Sequence, residues 1–181
     1  MLKAGITCLN DMGVTGHVGA EVVDEAGLRA VVGHMISDSF MPEPAEEQIA
    51  RALTLVDRYH GAYGGRLWIS LCPHGDLYNT RPVLETCARL AREHPDLVVH
   101  THALEMPQAN VAARAMGAAD SIGLFEDLGL LNERLVLAHL IAATERDIDR
   151  VANAGAHVVH CPSMFTHFGT GDKLWLPYPN C

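Results

Sequence analysis

The chain has 181 residues, of which 49% are hydrophobic, 6% are aromatic and 19% are charged, and its formal net charge is -9. The length is sufficient for one domain with a sizeable core, and the acidic balance argues against nucleic-acid or anionic-membrane partners, which require a basic surface. No apolar run approaches the roughly 20 residues of a membrane span, and the sequence does not open with a signal-peptide pattern. A small, weakly charged ligand fits this composition best.

The cysteines are odd in number, widely spaced and free of any CxxC pair. They are Cys8, Cys72, Cys87, Cys161 and Cys181. This pattern indicates neither a disulfide framework nor a cysteine zinc site, and it predicts a reducing, cytoplasmic location.

Short apolar runs alternate along the chain with longer amphipathic segments, which predicts repeated βα units around a parallel sheet. The predicted strands are approximately Gly5 to Asp11, Leu28 to Ser37, Leu67 to Cys72, Leu97 to His102, Leu135 to His139 and Ala156 to Cys161. The predicted helices are approximately Pro44 to His60, Arg81 to Glu93, Pro107 to Met116 and Thr144 to Asn153. Internal repeats and Ser/Gly linkers are absent, so residues 1–181 are expected to belong to one domain.

Polar residues follow the carboxyl end of every predicted strand. They are Asp11, Ser37 with Asp38, Pro73 with His74, His102 with Glu105, His139, and the run from His160 to Ser163. An α/β barrel and a doubly wound sheet are both compatible with the elements, but a barrel brings all such strand ends to one mouth, whereas an open sheet binds ligands mainly at a switch point. We therefore favour the barrel. His34 is expected to be an ordinary histidine, with a position at the barrel mouth left open as the alternative.

The segment from Val98 to Glu105 is the most informative one, because an apolar run ends in His100 and His102 and a carboxylate follows three residues later. Side chains alternate along a strand, so both histidines point the same way, and Glu105 can turn back over the strand end. Imidazole binds metals and a carboxylate moves protons, although a strand end with a helix-capping Glu would look the same. From the residues alone, His100 and His102 rank equally as metal ligands.

These motifs resemble those of the metal-dependent amidohydrolase superfamily, in the branch with cytosine, adenosine-type and guanine deaminases and triazine (chloro)hydrolases. The resemblance is carried by residues 100–105, residues 137–139, residues 157–163 with Gly169-Thr170-Gly171, residues 5–11 and Cys72-Pro73-His74.

The resemblance implies that His102 is the metal ligand on barrel strand five and that Glu105 carries a proton to the ring nitrogen of the substrate. It implies that His139 hydrogen-bonds the metal-bound water or polarises the attacked carbon, and that His74 lines the substrate pocket. His100 is expected to support or pack against the site. The expected cofactor is one divalent metal ion, zinc first, with iron or manganese as alternatives.

The family's first-strand HxH pair and strand-eight Asp have no counterpart in the sequence. We therefore expect an incomplete (β/α)8 TIM-type barrel with about strands two to seven, and a fragment of a longer enzyme. Because a catalytic zinc normally has three protein ligands, His102 and His139 alone predict weak metal binding. The edges of an open barrel also predict either a homo-oligomer or an insoluble chain.

The leading functional hypothesis is a metal-dependent hydrolase of carbon–nitrogen bonds other than peptide bonds, which deaminates or dechlorinates a small nitrogen heterocycle. Two alternatives stay open. One is an amidohydrolase of an acyclic amide, amidine or guanidine, and the other is a non-catalytic barrel fragment that associates with a partner chain.

Overall fold

The computed structural model describes residues 2–167, so the predicted Gly169-Thr170-Gly171 motif lies outside the described residues. Six strands form one sheet in sequential order, and every neighbouring pair is parallel. The strands are β1 Cys8–Gly13, β2 Arg29–Ile36, β3 Leu67–Pro73, β4 Val98–Ala103, β5 Leu135–His139 and β6 His157–Val159. A strand order without reversal excludes a doubly wound sheet, and the sheet curls into part of a (β/α)8 barrel, which confirms the predicted fold class.

Helices connect the strands. They are α1 Gly16–Glu25, α2 Ala45–Tyr59, α3 Ala62–Gly65, α4 Arg81–Glu93, α5 Gln108–Ala115, α6 Ser121–Asp127, α7 Glu145–Asn153 and α8 Pro162–His167, with a 3-10 turn at Leu2–Ala4. The four predicted helices are confirmed as α2, α4, α5 and α7, with ends that differ by at most one residue. The helices α1, α3, α6 and α8 were not predicted. In α1, two glycines and three valines weaken the helical signal, and α6 is short and mostly buried.

The strands present one face to the helices and the other to the barrel interior. Leu67, Ile69 and Leu71 of β3 belong to the apolar clusters between sheet and helices. The alternate residues Ser70 and Cys72 face the interior, because side chains alternate along a strand. The helix-facing side is thus mostly apolar, while the interior side carries polar and reactive groups toward the carboxyl ends of the strands.

His34 does not face the barrel mouth, which the sequence had left open as an alternative position for this residue. His34 shares its face of β2 with Val32, which packs in the apolar cluster between sheet and helices. It is buried and lines a cavity of about 300 Å³ beside His17 of α1 and Arg51 of α2. Its side chain therefore points out of the barrel, into the helical layer.

Within the described part of the chain, no helix is long and apolar enough to cross a membrane. The four described cysteines, Cys8, Cys72, Cys87 and Cys161, are all free thiols.

Candidate functional site

Three histidines from neighbouring strands meet at the carboxyl edge of the sheet. His74 follows the end of β3, His102 lies near the end of β4 and His139 ends β5. The ring centroids of His74 and His102 are 4.5 Å apart, and those of His102 and His139 are 4.9 Å apart. The structure therefore brings three of the sequence-predicted site residues into one contiguous row.

His139 reaches this row through an unusual backbone conformation. Leu135 and Leu137 of the same strand pack toward the helices, so simple alternation would send His139 in that direction too. His139 and Leu140 instead have φ angles of 81° and 52°, which breaks the alternation and places the imidazole beside His102. A non-glycine residue in this region costs about 1–3 kcal/mol, and such strain clusters at functional sites.

Glu105 turns back over the end of β4, as the sequence suggested. The turn occurs at Leu104, which has a φ of 48° and a fully buried side chain. Glu105 is itself buried, and its Oε1 lies 3.9 Å from Nε2 of His139. Burial, and then the charge of Asp76, raise the pKa of the Glu105 carboxyl above its ordinary value.

The histidines of the row are neutral imidazoles. Burial, with the neighbouring His74, His139 and His100, lowers the pKa of His102 to about 3. Burial also lowers the pKa of His139 to about 4 and shifts the pKa of His74 downward. A neutral imidazole has a lone pair to offer, and the buried Nδ1 of His102 has no hydrogen-bond partner among the described residues. This nitrogen is therefore suited to bind a metal ion.

A complete metal site is not assembled by residues 2–167, where no group of three or more His, Cys, Asp or Glu side chains is arranged to hold a metal ion. His100 lies on the same face of β4 as His102, with ring centroids 6.4 Å apart and ring planes at 14°. It is buried, and burial lowers its pKa to about 4.

The sequence reasoning missed Asp76 and Ser121. Asp76 is buried in the loop after β3, where it accepts a hydrogen bond from the Ser121 hydroxyl at the start of α6. Burial raises the pKa of Asp76 to about 6, although the bonds from Ser121 and from backbone N–H groups oppose the shift. The preceding Gly75 has a φ of 110°, and a Cβ there would overlap the carbonyl oxygen of His102. The only sequence signal was the Gly-Asp pair directly after His74.

The model of the amidohydrolase family matches residues 1–164 of the chain. The chain is 28% identical over 171 residues to 5-methylthioadenosine/S-adenosylhomocysteine deaminase 2 of Archaeoglobus fulgidus, which covers 94% of this chain and 41% of that protein. It is 32% identical over 151 residues to a probable guanine deaminase of Deinococcus radiodurans, which covers 80% of this chain and 34% of that protein. The chain thus spans less than half the length of these curated relatives.

Solved structures show the same architecture. An adenosine deaminase from Xanthomonas campestris with bound zinc superposes with a TM-score of 0.83 at 30% identity, over 94% of this chain and 38% of that one. A guanine deaminase from Bradyrhizobium japonicum gives a TM-score of 0.84 at 24% identity, over 93% of this chain and 38% of that one. The second similarity concerns the fold alone.

Proposed function

The chain belongs to the amidohydrolase family, and from that premise we propose that it carries part of the active site of a metal-dependent hydrolase. The enzyme would act on carbon–nitrogen bonds other than peptide bonds, by deamination or dechlorination of a nitrogen heterocycle. The observation that carries this proposal is the convergence of His74, His102, His139 and Glu105 at one edge of the sheet. The deaminases among its relatives support the same reaction class.

We assign His102 as a ligand of one divalent metal ion, zinc first, with iron or manganese as alternatives. Its buried Nδ1, which has no hydrogen-bond partner within residues 2–167, supports this role, and the adenosine deaminase with bound zinc supports the choice of metal. The chemistry that a bound divalent cation supplies is a water molecule whose pKa is lowered toward neutrality.

Glu105 and His139 are the proposed catalytic residues. Because burial raises its pKa, the Glu105 carboxyl holds a proton to higher pH than an exposed Glu does, which suits a group that accepts and donates a proton during the reaction. His139 is neutral and lies 3.9 Å from Glu105, where its ring can orient the reacting groups by hydrogen bonding. His74 is the proposed substrate-binding residue, because it follows the end of the neighbouring strand β3 and its ring contacts His102.

We further propose that residues 1–181 belong to one partial barrel domain of a cytoplasmic protein. The match of the family model to residues 1–164 supports the single domain, and the free thiols support a reducing compartment. The expected partner is a small heterocyclic substrate rather than nucleic acid or a membrane, and a homo-oligomer is expected.

The proposal is tested by zinc content and ammonia release. Elemental analysis would compare the chain with a version extended at both ends by an HxH strand and an Asp strand, each as wild type and as His102→Asn. We expect about one equivalent of zinc in the extended wild type only, since a catalytic site needs about three protein ligands. The exposed His17→Asn variant is the matched control and should retain the metal. If the extended His102→Asn variant retains as much zinc as the extended His17→Asn control, the assignment of His102 as a metal ligand is contradicted.

Ammonia release from adenosine, guanine and an aminotriazine would then be compared with release from an acyclic guanidine. Release from the heterocycles is the expected result, and release from the guanidine alone would favour the acyclic alternative. The lack of a three-ligand group in residues 2–167 favours one second candidate, a non-catalytic barrel fragment that associates with a partner chain. Absence of both metal and activity in every version would support that candidate.

A further inference from the structure

We propose that Phe40 and Tyr78 form an aromatic wall that binds the planar face of a heteroaromatic substrate, and that Ser37 positions this wall. The inference rests on the proposed function, because it assigns the residues that recognise the heterocycle at the same site. It favours a flat aromatic ring over an acyclic amide or guanidine.

The wall continues the row of histidines toward β2. The Tyr78 ring stacks on the His74 ring with centroids 4.5 Å apart and planes at 24°. The Phe40 ring lies 5.4 Å from His74 and 6.0 Å from Tyr78, tilted or edge-on to both. Because His74 also contacts His102, the wall lies directly beside the proposed metal ligand. A ring bound against it would have its edge near the proposed reacting groups.

Phe40 carries a large apolar ring that residues 2–167 leave mostly exposed. It is 59% exposed, although it lies at the same edge of the sheet as the buried histidines. Aromatic rings in contact gain offset or edge-to-face interactions beyond the burial of area. A planar heterocycle can cover this ring and stack on it, whereas a small guanidinium group would leave most of it in water.

Ser37 holds the two loops of the wall together. The buried Ser37 hydroxyl donates a hydrogen bond to the carbonyl oxygen of Tyr78 and accepts one of 3.0 Å from the backbone N–H of Phe40. Ser37 is itself fixed by the buried side chain of Gln48. The Gln48 Oε1 accepts from the Ser37 N–H at 2.7 Å, and the Gln48 amide donates to the Ser37 carbonyl at 3.1 Å.

A second set of hydrogen bonds joins the same loops, one residue beyond Ser37. The Asp38 carboxylate accepts hydrogen bonds from the backbone N–H of Thr80 at 2.9 Å and from the Thr80 hydroxyl. The N–H of Ser39 also donates to the Tyr78 carbonyl at 3.3 Å. The aromatic rings are therefore presented by loops that are ordered before any ligand arrives, which reduces the entropy cost of binding.

The test measures the ligand affinity of the metal-free chain by isothermal titration calorimetry, so that catalysis does not consume the ligand during the measurement. Adenosine serves as the planar heteroaromatic probe and guanidine as the acyclic probe. Phe40→Ala should weaken adenosine binding at least about fivefold, the lower end of what stacking on an aromatic side chain contributes. Phe40→Trp should retain adenosine affinity, and Phe40→Ala should weaken guanidine binding by a smaller factor than adenosine binding, because the small cation covers less of the ring.

Trp68→Ala is the matched control, because Trp68 is 46% exposed near the opposite end of β3 and should not affect adenosine binding. Ser37→Ala tests positioning. It should lower the ratio of adenosine affinity to guanidine affinity at a temperature where thermal unfolding shows the variant to be folded. A merely structural role of Ser37 would lower the melting temperature and leave that ratio unchanged.

The inference is overturned if Phe40→Ala leaves adenosine affinity unchanged, if it weakens guanidine binding equally, or if the wild-type chain binds no planar heterocycle. Failure of the proposed function has a different signature. In that case no metal-supported ammonia release occurs in the extended version, while adenosine binding still depends on Phe40.

Discussion

At Glu105, burial and the nearby charge of Asp76 act in the same direction, and both raise the pKa of the carboxyl group. We expect Glu105→Gln to lower kcat for ammonia release about a hundredfold to ten-thousandfold, because the amide keeps the shape but cannot transfer a proton. Adenosine affinity should stay unchanged. Steady-state rates of the extended, zinc-loaded protein would show this, with the exposed Glu46→Gln of α2 as control. A retained rate in Glu105→Gln would remove Glu105 from the proton path.

The raised pKa of Asp76 predicts how the stability of the chain changes with pH. Its pKa is about 6 in the folded chain and 3.8 ordinarily, so the folded state binds the proton more tightly. The stabilisation from that proton is present at acid pH and is lost as pH rises through about 6, where the ionised, buried carboxylate costs at most roughly 3 kcal/mol. Asp76→Asn can still accept the Ser121 hydrogen bond but does not titrate.

The free energy of unfolding of Asp76→Asn, relative to wild type, should therefore increase between about pH 4 and about pH 7. Urea unfolding at several pH values measures this difference. Asp149→Asn on the exposed side of α7 is the matched control for the loss of a surface carboxylate. A difference between Asp76→Asn and wild type that does not vary with pH would mean that Asp76 is ionised throughout.

At the scale of elements, the contact between β2 and β3 depends on Gly33. A Cβ on Gly33 would overlap the Cys72 sulfur and lie 2.8 Å from the Ser70 carbonyl oxygen. We expect Gly33→Ala to destabilise the chain by about 1–3 kcal/mol, as overpacking does. Gly19→Ala in α1 is the matched control, since its nearest neighbour would be Val32 Cγ1 at 3.4 Å. Removing a glycine from a helix should stabilise it by up to about 1 kcal/mol. If Gly33→Ala and Gly19→Ala changed the free energy of unfolding in urea equally, the close packing at Gly33 would be contradicted.

The elements differ in how far the sequence could predict them. The strands β2, β3, β4 and β5 were predictable, because their long apolar runs reflect burial by helices on one side and the barrel interior on the other. The helix α1 was not, because its glycines and valines have low intrinsic helix propensity. Packing of its buried face against β2 determines that helix, and packing is not visible in local sequence.

At the scale of the whole molecule, the convergence of His102 and His139 was predictable because parallel strands all end at one edge of a barrel. The contact of Asp76 with Ser121 joins residues 45 positions apart and depends on where α6 docks. The positive φ of His139 likewise follows from its surroundings, since no glycine or asparagine marks the turn. Neither feature has a local pattern from which it could be predicted.

The edges of the sheet lead to a prediction about assembly. Within residues 2–167, β1 pairs only with β2 and β6 pairs only with β5, so each outer strand has one edge with unpaired backbone groups. Val159 of β6 is 40% exposed beside such an edge. Unpaired edges with exposed apolar side chains favour pairing with another chain. We therefore expect sedimentation velocity to show concentration-dependent self-association of the wild-type chain.

Val159→Lys should shift this equilibrium toward the monomer, because a charged side chain on an edge strand opposes edge-to-edge pairing. Val111→Lys is the matched control, since Val111 is 60% exposed on α5, away from both sheet edges, and should not change the sedimentation profile. Equal shifts in both variants would assign the association to general surface hydrophobicity. A monomer at every concentration of the wild type would mean that the edges are covered within the chain itself.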